Sequence, residues 1–150
     1  MKSSIVIGGA VVALALGAVL VARAGSGDAV LPKASGLVWE MTEWHREFSD
    51  HRLARGITPD AERALAESTA AKLAAQRDKL EALVSKLPPG TRFTADLTKF
   101  VQTWSTRDIF LHDLLGDAHG EQSGLAIASL AMQVTDPRRG WKTLFPLFRP

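Results

Sequence analysis

Apolar and polar residues alternate along this chain with helical spacing, and the pattern changes character three times. Residues 5–25, IVIGGAVVALALGAVLVARAG, are apolar up to Arg23, and nothing between Ser3 and Ala22 carries a charge. At about 1.5 Å per residue a helix of that length reaches about 30 Å, the thickness of a hydrocarbon core. Residues 25–36, GSGDAVLPKASG, are small, polar and punctuated by Gly and Pro, and read as a linker. Beyond them the apolar positions recur at steps of three and four. Leu37, Met41, Trp44 and Phe48 predict a first helix over 37–55, with Ser35 as cap and Gly56 as stop. Thr58 and Pro59 open a second helix that continues to Leu87, and Leu73, Gln76, Leu80, Leu83 and Leu87 mark a coiled-coil-like seam along it. Phe93, Leu97, Phe100, Trp104, Leu111 and Leu114 predict a third helix over 94–115, with Arg107 interrupting the stripe. Ser105-Thr106 is the point at which it would break in two. Leu125, Ile127, Leu130, Ala131 and Val134 predict a fourth helix over 121–134.

No stretch alternates with a period of two, so the expected fold is all-α: a single N-terminal transmembrane helix followed by a small antiparallel bundle of three to four helices. The expected division is 1–24 membrane helix, 25–36 linker, 37–134 helical domain and 135–150 tail. An even number of antiparallel helices returns the chain to the side on which it entered. A break in the third helix would reverse that parity.

The apolar run has two competing readings. Lys2 and the A-x-A triplet Ala22-Arg23-Ala24 suit a cleaved signal peptide. The length of the run, and the absence of Gly or Pro in the Val19-Leu20-Val21 lead-in, favour a retained anchor. Gly9, Ala13 and Gly17 fall at i, i+4 and i+8, a small-residue face on which another membrane helix can pack. A short N-terminus before a long C-terminal domain favours the inner membrane with the domain on the periplasmic, non-cytoplasmic side.

Composition narrows the function more than it defines it. Hydrophobic residues make up 46% of the 150 positions and charged residues 23%, which excludes global disorder. A net charge of +2 is no nucleic-acid footprint. The absence of cysteine removes disulfides, thiol catalysis and Cys-ligated zinc. The tail, RRGWKTLFPLFRP, is the exception to the even charge balance: Arg138, Arg139 and Lys142 stand among Trp141, Phe145 and Phe148, a mixture suited to a membrane interface or a partner's groove.

Catalytic and metal signatures are weak. Glu43, Glu47 and His51 form an i, i+4, i+8 column, and His45 lies beside it. His112, Asp113, Asp117 and His119 cluster at the end of the third helix. An enzyme would need these joined to residues of another helix in a formed pocket. GEQSG, residues 120–124, is not a nucleophile elbow, because its Ser is displaced and no strand precedes it. No cofactor and no enzymatic activity are expected. Trp44 and Trp104 fall on apolar stripes, whereas Trp39 lies off its stripe, at an expected edge or interface.

Residues 56–83, GITPDAERALAESTAAKLAAQRDKLEAL, resemble the second helix of the periplasmic metal-sensing and stress-chaperone helical-hairpin proteins, where a Leu-Thr-Pro-type cap opens a long Ala/Arg/Glu-rich helix. That resemblance implies metal-ligating histidines on the helix before the cap. His45 and His51 occupy that region, but at a spacing of six rather than the four that puts two ligands on one face. The anchor-plus-helices layout is also similar to phage inner-membrane spanins. Neither likeness assigns the chain to a family. The leading expectation is a membrane-anchored, non-enzymatic accessory or structural subunit. Its partners would be the lipid bilayer and other membrane-protein subunits, a second copy of the chain being one option, and not nucleic acid. A periplasmic sensor or chaperone is the alternative, and a phage virion or spanin-like membrane protein ranks below it.

Overall fold

The computed structural model describes residues 26–117 and 119–134. The apolar run with Gly9, Ala13 and Gly17, and the tail with Arg138, Arg139, Trp141, Lys142, Phe145 and Phe148, lie outside the described residues. Among the described residues there are five helices and no strand: α1 (Ser26–Arg52), α2 (Pro59–Val84), α3 (Arg92–Thr103), α4 (Arg107–Leu115) and α5 (Glu121–Gln133). None of them is long and apolar enough to cross a membrane.

The first correction concerns α1. Residues 26–36, expected as a linker, are its first three turns. Gly, Ser and Pro are poor helix formers, but Val30 and Ala34 are buried and extend the stripe that continues through Val38 and Met41. Burial of that face outweighs local propensity. Pro32 lies inside the helix, in its second turn, where it removes one i→i−4 hydrogen bond, and the burial of Val30 and Ala34 on either side of it offsets that cost. The buried face of α1 is also rotated from the expected one. Val38, Trp39, Met41, Thr42, His45 and Phe48 point inward, while Leu37 and Trp44 are only half-buried at its margin. Trp39, expected at an edge, is a core residue whose Nε1–H donates to the Val134 carbonyl at 2.9 Å. Trp44 lies beneath the Lys72 ammonium, 5.8 Å from the ring centre.

The second helix follows its opening signals closely and ends at Val84, so that Leu87, expected as its last residue, lies in the turn beyond it. Thr58 Oγ1 accepts from the Ala61 N–H, Pro59 occupies the first turn, and Asp60 and Glu62 favour the positive end of the helix dipole. Leu73, Gln76, Leu80, Leu83 and Leu87 are all buried. The one polar member of that seam is satisfied across it: Gln76 Nε2 donates to the Leu37 carbonyl at 3.1 Å and to Glu40 Oε1.

The expected continuous helix over 94–115 is two helices. Trp104 caps α3 through its N–H to the Phe100 carbonyl, and Thr106 Oγ1 restarts the chain by accepting from the Ile109 N–H. The break changes which residues of the second half face inward. Phe110 joins the expected Leu114 in the core, Leu111 is left half-buried at its margin, and Arg107 is exposed to solvent. In an unbroken helix the Val101 carbonyl would accept from residue 105; here that bond is missing. Arg77 of α2 replaces it, donating to the Val101 oxygen from Nε at 2.9 Å and also from Nη2. Its Nη1 bonds Asp78 at 2.9 Å and Glu81 at 2.7 Å. Burial opposes the guanidinium's charge, but the two carboxylates outweigh it and raise the pKa. Arg77→Met should therefore cost about 2–3 kcal/mol, because it leaves a buried carbonyl unpaired. Arg77→Lys should recover only part of that, since an ammonium lacks the two-pronged fork. Urea unfolding of the three proteins, followed by helical circular dichroism, measures both effects.

The break does not reverse the chain's direction. Asp96 on α3 accepts from Gln133 near the end of α5, and Asp113 on α4 accepts from Ser123 near its start. The two short helices thus make one kinked pass antiparallel to α5. Pairing of His45 with Ser123, and of Trp39 with Val134, sets α5 antiparallel to α1. The result is a four-pass bundle with a broken third pass, and α5 ends beside Ser35.

Candidate functional site

Three helices meet at one buried polar group. His45 from α1 and Ser123 from α5 are 3% and 0% exposed, and Asp113 reaches them from α4. Ser123 Oγ lies 2.5 Å from Asp113 Oδ2 and 2.9 Å from His45 Nε2. A carboxylate can only accept, and the hydroxyl has one proton, so Ser123 donates to Asp113. His45 must then donate from Nε2 to the Ser123 oxygen. The neutral ring carries its proton on Nε2, and the buried Nδ1 has no hydrogen-bond partner.

Local chain geometry assembles this group. Gly120 is the N-cap of α5 and has no side chain with which to cap it. Asp113 supplies the cap from the neighbouring helix, its Oδ2 accepting the Ser123 N–H at 3.0 Å. The carboxylate also sits favourably at the positive end of the α5 dipole. The Asp113 backbone carbonyl accepts the Gly116 and Gly120 N–H groups and closes the turn between the helices. Gly120 has φ +87°, and a Cβ there would lie 2.9 Å from Leu114 Cδ2 and 3.0 Å from His45 Cε1. Only glycine fits both the conformation and the space.

Gly124 forms the other wall of the His45 cradle. A Cβ at Gly124 would meet His45 Cε1 at 3.0 Å and both ring nitrogens at 3.4 Å. Glycine to alanine inside a helix normally stabilises by about 1 kcal/mol. Here the ring is fixed by Ser123 and cannot retreat, so Gly124→Ala should destabilise by about 1–2 kcal/mol. In a His45→Ala background the same change should become neutral or stabilising. Chemical denaturation of the four proteins of that double-mutant cycle reads the coupling.

The charge state of His45 follows from its surroundings. Burial pushes its pKa down from 6.5 to about 4, and the nearby Asp113 carboxylate opposes this only in part. Adding a proton would place a charge in the core, and the backbone carbonyls of Gly120 and His45, like Asp113, offset that burial only in part. His45 is therefore neutral at neutral pH.

These are the residue types of a hydrolytic triad in a different order. In a triad the imidazole accepts from the serine and donates to the carboxylate. Here the serine donates to the carboxylate and accepts from the imidazole, and its hydroxyl is sealed from solvent. The arrangement holds α1, α4 and α5 together and caps α5.

The other candidates are dispersed. His51 is exposed, and its Nδ1–H donates to the Glu47 carbonyl at 2.8 Å, while His45 points into the core. The two do not share a site. Of the cluster at the end of the third pass, Asp113 turns inward, whereas His112, Asp117 and His119 are exposed. Among the described residues no three His, Cys, Asp or Glu side chains are placed to hold a metal ion. An open, shallow cleft of about 380 Å³ lies at the α1–α2 turn, lined by His51, Arg55, Ile57 and Leu65 among others, away from the His45 cluster.

The role of Ser123 escaped the sequence reading, and so did the burial of His45. A faint signal existed for both. His45 falls between Met41 and Phe48 at steps of four and three, and Gly120, Ser123 and Gly124 share one helical face at i, i+3 and i+4. Comparison of the chain with protein-family models, curated proteins and solved structures finds no match.

Proposed function

We propose that this chain is a single-pass, membrane-tethered helical domain that works through protein contacts, as an accessory or structural subunit of a membrane assembly. The observation that carries the reading is on α5. One edge of that helix is locked into the core through Ser123, Ile127, Leu130 and Ala131, while Leu125 and Met132, seven residues apart, stand 40% and 48% exposed on another face. Ile109 on α4 and Leu53 beyond α1 are exposed as well. Apolar side chains repeated at that spacing on a rigid helix suit a second helix laid alongside. The apolar run at residues 3–22 supplies the tether, with the domain on the periplasmic side of the inner membrane and Gly9, Ala13 and Gly17 available to a neighbouring membrane helix. The Arg138–Phe148 tail adds a second contact, with lipid or with a subunit.

The test is a double change, Leu125→Lys with Met132→Lys, in the full chain expressed in its membrane. Gentle detergent extraction should yield a larger complex from the wild type and a smaller species from the variant, with melting temperature unchanged. If the wild type extracts as a lone monomer, or the variant keeps the same complex, the reading fails.

A further inference from the structure

The start of α1 changes what the tether can do. A linker over residues 25–36 would span up to about 40 Å and let the domain float. Instead α1 is helical from Ser26, and only residues 23–25 separate it from the end of the uncharged run at Ala22. Even fully extended, the steps from Ala22 to Ser26 cover at most about 14 Å. The headgroup layer on one side of a bilayer is itself about 5–7 Å deep. The bundle's end at α1's first turn therefore has little room to stand off.

Register identifies what else lies at that end. Gln76 on α2 bonds Leu37 and Glu40, and the two helices are antiparallel. Val84, eight residues further on, is then about level with residues 29–32 of α1. The turn that follows carries Lys86, Pro88, Pro89 and the start of α3 at Arg92 beyond that level, alongside α1's first turn. Lys86, Pro88, Pro89 and Arg92 are all exposed, as is Lys33 on α1. The acids at this end are Asp28 on α1, Asp96 on α3 and Glu81 on α2, the last about level with Lys33; Asp96 is engaged by Arg92 at 3.4 Å and by Gln133 at 2.8 Å, and Glu81 by Arg77 at 2.7 Å. With both of those ion pairs set aside, Lys33 and Lys86 stand against Asp28. The opposite end of the bundle, at the α1–α2 turn, lies a full α1 length of about 40 Å away.

We infer that the α2–α3 turn, with Lys33, Lys86 and Arg92, is a membrane-facing surface that rests on anionic lipid headgroups and holds the bundle upright on the bilayer. This rests on the tethered reading above. Basic side chains within a Debye length of an anionic surface are attracted to it, and salt weakens that attraction.

The absence of cysteine allows a direct test, because one introduced thiol is labelled uniquely. Full-length protein carrying Ser85→Cys, or Ala54→Cys at the far end, is labelled with a fluorophore. Each is reconstituted in vesicles of phosphatidylcholine and phosphatidylglycerol in equal parts, doped with a nitroxide-headgroup lipid. The inference expects several-fold stronger quenching at residue 85 than at residue 54. It also expects the residue-85 signal to fall in pure phosphatidylcholine, and in a Lys33→Gln, Lys86→Gln, Arg92→Gln variant. Equal quenching at both positions, or stronger quenching at 54, overturns it, as does a residue-85 signal indifferent to lipid charge and to the triple change. Flotation of unlabelled protein after an alkaline carbonate wash separates the two ideas. Protein that floats while residue 85 is unquenched sinks the surface alone, and protein that is washed off sinks the tether and the surface together.

Discussion

Replacing Phe110 by alanine should remove about 3–5 kcal/mol of folding stability, the range for truncating a fully buried aromatic side chain. Phe110 has no exposed surface. Its ring lies 5.2 Å from that of Trp104, nearly parallel at 24°, and 6.3 Å from that of Phe100. Those three rings bridge the break between α3 and α4, so they hold together two short helices that share no backbone ladder. A loss of this size is a large part of the total for a small domain, about 5–15 kcal/mol. The neighbouring Ile109 is 39% exposed, and Ile109→Ala should cost well under half as much. Urea unfolding of both variants, followed by helical circular dichroism, compares them. Equal losses would mean that the aromatic bridge contributes nothing special to the kinked pass.

Acidification should destabilise the domain through His45 well before most carboxylates are protonated. Its pKa is about 4 when folded and 6.5 when exposed, so the folded-state value is the lower one. The unfolded chain therefore binds the proton first as pH falls. Stability from the neutral ring is complete above about pH 6.5 and is lost progressively on the way down through pH 4. By linkage at 1.36 kcal/mol per pKa unit, the loss reaches about 3 kcal/mol by pH 4. His45→Gln retains a donor for Ser123 and removes the titration. Its unfolding free energy at neutral pH should be lower than that of the wild type, and its decline from pH 7 to 4 should be smaller by about that amount. Parallel pH profiles for the two proteins would show that His45 does not carry the acid sensitivity.

Much of the helical order was legible because the signals were local. Thr58-Pro59 starts α2 through a hydroxyl that reaches its own chain three residues on, and that bond forms wherever the helix does. The Leu73–Leu87 seam is a periodic face whose burial needs only some neighbour, so its members were readable without knowing which. Ser105-Thr106 was visible as a weak point, but the sequence could not settle whether the helix breaks. That depended on Arg77, 24 positions from Val101, standing ready to take the freed carbonyl. The early start of α1 was hidden for a similar reason. Residues 26–36 have the composition of a linker, and only the core against which Val30 and Ala34 pack turns them into helix.

By itself, then, the sequence determined an all-α domain, the start of α2, the end of α4, both ends of α5 and the greater part of the apolar core, because caps and periodicity act over three or four residues. The tertiary structure alone decided which polar residues meet. His45 and Ser123 are 78 positions apart, and Ser123 and Asp113 are ten apart across a turn. A lone histidine on an apolar stripe, an acid at a helix end and a serine between glycines are each unremarkable in a linear reading. They become one hydrogen-bonded group only when three helices pack, because burial then forces each polar atom to find a partner among those the fold has brought within reach.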